Sequence, residues 1–118
     1  MSYVDLWFRA FVVTAASEGL LLVPLLRKLE SSWLRRAACV LLANLASHPA
    51  VWFVFTDFGL TYAYRFALSE AWAVAVEVLA YRLLFSKLTM RKALLLSLAA
   101  NALSVSFGLT LRSLGVRL

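Results

Sequence analysis

An all-α membrane protein, an up-down bundle of four transmembrane helices, is the fold this sequence predicts, and three observations predict it. Hydrophobic residues make up 64% of the 118 positions and charged residues only 15%, against about 45–50% and about 25% in soluble domains. The mean hydropathy of +0.86 excludes a soluble globular domain, and it excludes disorder, which needs the opposite bias. The apolar residues also fall into four runs, each near the roughly 20 residues that carry a helix across a hydrocarbon core about 30 Å thick.

The first run covers 6–26. A cleaved signal peptide would have a basic start and an uninterrupted apolar centre. This run instead has Asp5 before it and Arg9 and Glu18 within it, so a retained helix is expected. The others cover 33–55, 62–85 and 91–111, and two tandem helical hairpins result. Their joints, 27–32, 56–59 and 86–89, are short and polar. Joints this short make consecutive helices antiparallel neighbours, so 1–118 reads as a single transmembrane domain.

Orientation follows from charge. The net charge of +6 is not a nucleic-acid signal, because the basic residues border the apolar runs. Arg27, Lys28, Arg35 and Arg36 surround the first joint, and Arg82, Lys87, Arg91 and Lys92 the third. The opposite side has Arg9, Arg65, Arg112 and Arg117, softened by Asp5 and Asp57. Cytoplasmic segments carry the lysine and arginine excess. Both termini are therefore expected outside the cytoplasm, as in a bacterial inner-membrane protein. Trp7, Trp33, Trp52, Tyr3 and Tyr62 lie near run ends, at the headgroup level that amphipathic rings prefer. Cysteine-accessibility labelling should find position 86 inside and both termini outside; a cytoplasmic C-terminus would reverse the orientation.

Self-similarity comes before motifs. Leu41 to Ser47 read LLANLAS and Leu98 to Ser104 read LAANALS, which aligns Asn44 with Asn101 and Ser47 with Ser104 at an offset of 57. Upstream, Glu18 meets Glu77 at an offset of 59, and a basic joint follows each. Two related hairpins are expected, parallel in the membrane and related by an axis along its normal.

Polar residues inside the runs carry the functional reading. A charged side chain at a helix centre costs about 2.5–3.5 kcal/mol on insertion scales, so such groups should face the bundle interior or a wet cavity. Glu70, Glu77 and Tyr81 share one helical stripe, as do Asn44 and His48, and Ser97, Asn101, Ser104 and Gly108. Thr14 and Glu18 form another, flanked by small residues that allow close helix approach. A central polar column satisfies all four stripes. At 1.5 Å per residue, Asn44 and Asn101 fall near the midplane and face each other across it. Pro49 has no N–H to give the carbonyl of Leu45, which is thereby freed.

Other chemistries lack their patterns. One cysteine, Cys39, excludes an internal disulfide. There is no Glu-x-x-His pair, HExxH, GxSxG, phosphate loop or GxGxxG, and one histidine cannot supply bis-histidine haem ligation. Catalysis is not expected, and the residues specify neither a cofactor nor a metal. The expected function is a small integral membrane protein that handles cations or protons through the carboxylate column, as a transporter or channel. Its cation- and proton-binding residues are Glu18, Glu70, Glu77, His48, Asn44 and Asn101, supported by Tyr81, Ser97 and Ser104. Tyr81 is placed to hydrogen-bond Glu77, and His48 either relays protons or pairs with Glu70. A buried carboxyl group can hold a proton until a cation displaces it. The alternative is an accessory or assembly subunit of a larger membrane complex, with a structural polar column. Expected partners are the lipid bilayer and either further copies of the chain or that complex; nucleic acid is not among them.

Overall fold

The computed structural model describes residues 1–118. Four helices, α1 (Tyr3–Leu25), α2 (Trp33–Phe53), α3 (Tyr62–Leu84) and α4 (Met90–Ser113), are joined by short segments, with a 3-10 turn at Phe55–Phe58. Each helix packs on its neighbours in the chain and α1 packs on α4, closing a ring in which the backbones of diagonal helices stay apart. The result is an up-down four-helix bundle measuring 39 × 27 × 20 Å.

Local chemistry sets the helix ends. Ser2 caps α1 in a reciprocal box: its Oγ accepts from the Asp5 N–H (3.1 Å), and Asp5 Oδ2 accepts from the Ser2 N–H (2.9 Å). That box starts α1 at Tyr3, ahead of the apolar run that begins at 6, by satisfying N–H groups that would otherwise be orphaned. Ser32 and Thr89 cap α2 and α4 in the same way, accepting from Arg35 and Lys92. The turn after α2 closes on Gly59 at φ 66°, a left-handed position that suits glycine.

Three helices, α1, α2 and α4, are long and apolar enough to cross a membrane. α3 has 23 residues, but every 18-residue window along it holds at least three of Arg65, Glu70, Glu77 and Arg82. Ser69, Glu77 and Tyr81 are buried against the other helices, Arg65 and Glu70 are half-buried, and Arg82 is exposed.

The interior is unusually polar. Of 23 buried residues, ten are polar or charged, whereas such residues are mostly exposed in soluble proteins. Large apolar side chains such as Leu20, Leu83 and Leu95 point outward. The apolar core occupies one end, beside the joints around 26–32 and 85–89. Leu22, Leu26, Val40, Tyr81, Phe85 and Leu88 pack together there. In lipid such packing gains van der Waals contact rather than exclusion of water.

One basic side chain departs from its expected role. Arg36 is buried rather than lying free at the first joint. Its Nη1 donates to the Val23 carbonyl at 2.6 Å. That oxygen needs a donor because the Arg27 N–H has moved to Pro24, and a cation is well placed against the last carbonyls of a helix. Arg36→Met should cost about 1–3 kcal/mol, the range for orphaning a buried acceptor. Arg36→Lys should recover part of it. Unfolding by steric trapping in bicelles would measure both, and a loss under about 0.5 kcal/mol would mean that water reaches Val23.

Candidate functional site

Two matching carboxyl–amide pairs form the polar interior. Between α1 and α2, Asn44 Nδ2 donates to Glu18 Oε2 (2.8 Å) and to the Val40 carbonyl (3.0 Å). Between α3 and α4, Asn101 Nδ2 donates to Glu77 Oε2 (2.7 Å) and to the Ser97 carbonyl (2.8 Å). In both, the amide is anchored to the carbonyl one turn back and reaches across to the glutamate of the other helix in its hairpin. Ser47 and Ser104 then donate to the carbonyls of Asn44 and Asn101.

The pairs differ in one partner and in access. Ser97 Oγ also donates to Glu77 Oε2 at 3.0 Å, whereas the residue 57 positions earlier is Val40. Glu18 is fully buried, and its Oε1 and the Asn44 Oδ1 have no partner. Glu77 Oε1 accepts no bond either, but Glu77 lines a central cavity of about 400 Å³.

The cavity occupies the half of the bundle nearer the termini. Tyr3, Trp52, Tyr62, Arg65, Arg112 and Leu118 line its mouth, while Asn44, Ser47, Ala73, Glu77 and Asn101 line its deeper part. Glu70 and Ser104 contribute to its walls. Beyond it lies the apolar core around Tyr81 and Leu22. The cavity is thus a funnel closed at the apolar end, with a carboxyl group in its deeper wall. Two basic groups stand at its mouth: Arg65 lies over the Tyr62 ring at 5.9 Å, and Arg112 donates to the Leu118 carbonyl.

His48 lines the cavity but makes no hydrogen bond to Glu70. It sits in an aromatic cluster, stacked on Trp52 (6.4 Å between centroids) and edge-on to Phe11 (5.6 Å), with Trp7 beside it. Its Nδ1 and the Trp7 Nε1–H are both buried without partners.

Tyr81 also departs from expectation. It is buried in the apolar core, and its hydroxyl makes no hydrogen bond to Glu77 or to any other group. One turn of α3 separates the two residues, and Tyr81 packs with Leu22, Phe85 and Leu88 at the closed end of the bundle.

Asn44 and Asn101 both reach the cavity, though each turns its amide to a glutamate rather than to the other asparagine. They stand on diagonal helices whose backbones stay apart. Trp72 went unnoticed in the sequence. Its Nε1–H donates to the Ser47 carbonyl at 3.2 Å and ties α3 to α2 next to Pro49; no sequence pattern pointed to it.

The carboxyl groups have no ionic partners within the chain, whose one ion pair joins Arg35 to Glu30 at 3.9 Å. No three His, Cys, Asp or Glu side chains gather closely enough to hold a metal ion. The arrangement can hold a proton or a single cation at Glu77, whose carboxyl Ser97 and Asn101 orient, or at Glu70, which makes no hydrogen bond. No protein-family model matches the chain, and neither a curated protein nor a solved structure gives a match.

Proposed function

We propose that this protein is an integral membrane protein that binds and exchanges cations or protons at Glu77 and Glu70, reached through the cavity from the side of the termini. In this reading all four helices span the bilayer and the cavity mouth lies outside the cytoplasm. Glu18 is a second proton station behind the cavity, and His48 handles protons near the mouth. The observation that carries the reading is the funnel itself, which leads to a glutamate with an uncommitted oxygen and no basic partner. Leaving such a group inside a membrane protein is costly, and function is the usual reason for it. The two hairpins derive from a duplication; the repeated Glu–Asn–Ser bonding supports this, since chance similarity of leucine-rich helices would not repeat a hydrogen-bond scheme.

A second reading, an accessory subunit with a structural polar column, draws support from Glu18, which is fully buried behind Asn44 and has no place in the cavity wall. Proteoliposomes separate the two. Purified wild-type chain should carry protons or cations down an imposed gradient in a pH-dependent way. No flux of protons, sodium, divalent or organic cations under any gradient would leave the subunit reading standing.

A further inference from the structure

A second opening reaches one of these carboxyl groups, Glu70, from the side. Between α3 and α4 runs a groove of about 820 Å³, apolar but for Glu70 and Asn101. Val74, Val78, Leu94 and Leu98 line it, and Ala71, Ala75 and Ala102 keep it open. Phe66, Glu70, Asn101 and Val105 belong to both groove and cavity, so the two meet at Glu70.

We propose that this groove takes a long-chain organic ammonium ion from the bilayer, its head at Glu70 and its tail along Val74, Val78, Leu94 and Leu98. The inference rests on the cation-handling reading and names its substrate class.

Charge complementarity carries it. Glu70 makes no hydrogen bond and no ion pair within the chain. A carboxyl group at a lipid-facing opening needs cover, and a cationic head supplies it. The groove offers a cation a second route to Glu70 that passes no basic residue, whereas the cavity mouth carries Arg65 and Arg112, which small cations and protons pass more readily than a bulky amphiphile. Shape selects a tail. From Phe66 to Val78 the groove follows α3 for about 18 Å at 1.5 Å per residue, and its volume falls in the usual range for ligand sites. Direction agrees as well: Glu70 lies toward the termini end of the groove, so the tail runs from it toward the closed end of the bundle. A bare divalent metal would want six or more oxygen ligands, and no such cluster exists.

Equilibrium binding of radiolabelled dodecyltrimethylammonium to the full chain in zwitterionic-lipid nanodiscs, less that to empty nanodiscs, tests the proposal. Saturable binding is expected, with tetramethylammonium competing at least about 100-fold more weakly and dodecanol not competing. Glu70→Gln should weaken binding about tenfold or more, which corresponds to about 1.4 kcal/mol. Ala75→Leu, at an exposed position that narrows the groove without touching the carboxyl group, should weaken it too. Equal competition by tetramethylammonium would mean a cation that needs no groove. Equal competition by dodecanol, with Glu70→Gln unaffected, would mean a neutral acyl chain. A dimer that covers the groove and excludes the probe would make the occupant a second copy. Each of these outcomes overturns the proposal. Proton or small-cation flux without amphiphile binding would sink this inference alone, and absence of both would take the cation-handling reading with it.

Discussion

Glu77→Gln is expected to bring pH-dependent cation flux in proteoliposomes down to that of protein-free vesicles while leaving the bundle folded. Glutamine keeps the shape of the side chain and an acceptor for Asn101 and Ser97, which now bond to Glu77 Oε2 at 2.7 and 3.0 Å. What it removes is the exchangeable proton and the negative charge. Folding should be unharmed, because a neutral amide is easier to bury than a group that must ionise. Glu18→Gln should cost less flux, since Glu18 has no exposure and no place in the cavity wall. Equal losses in the two variants would mean that the path runs through both hairpins and opens the apolar end. Unaltered flux in Glu77→Gln would remove the cavity floor from the mechanism.

That contrast between the two glutamates was not legible in the sequence, although much of the frame was. The four runs gave helices whose ends lie within about three residues of the expected ones, because a span is announced by an apolar stretch of fixed length. α1 began early for a reason outside hydropathy, the Ser2–Asp5 box. The stripes correctly put Glu18, Asn44, Glu77 and Asn101 inside the bundle, since helical periodicity fixes the face on which a residue lies. Periodicity does not fix which neighbour a side chain meets. Asn44 turning to Glu18, Tyr81 packing into the apolar core and His48 settling among Trp7, Phe11 and Trp52 all depend on how the helices rotate against one another. Arg36 misled for another reason: a basic residue at a joint is read as a topology signal, and the freed Val23 carbonyl that captures it exists only once α1 closes on a tighter turn in which the Arg27 N–H bonds Pro24.

Asn101→Leu should destabilise the bundle by about 1–2 kcal/mol, and Glu77→Leu/Asn101→Leu should recover most of that loss. The single change removes the amide that bonds Glu77 Oε2 at 2.7 Å and leaves Ser97 as its one remaining donor. Hydrogen bonds between membrane helices average only about 0.6 kcal/mol and reach about 1.7 kcal/mol, but stripping a donor from a buried carboxyl group adds the penalty of an unsatisfied acceptor. When both partners become apolar that penalty vanishes, and replacing a buried polar pair with well-packed hydrophobic groups is often neutral or stabilising. Steric-trapping measurements in bicelles on the two single variants and the double variant would give the coupling directly. The same cycle on Glu18 and Asn44 should show the same sign. A double variant as stable as wild type but without flux would mean that the Glu77–Asn101 pair is kept for exchange and not for packing. A double variant several kcal/mol less stable than wild type would mean that the pair holds the helices together, as expected of a structural column in a subunit of a larger complex.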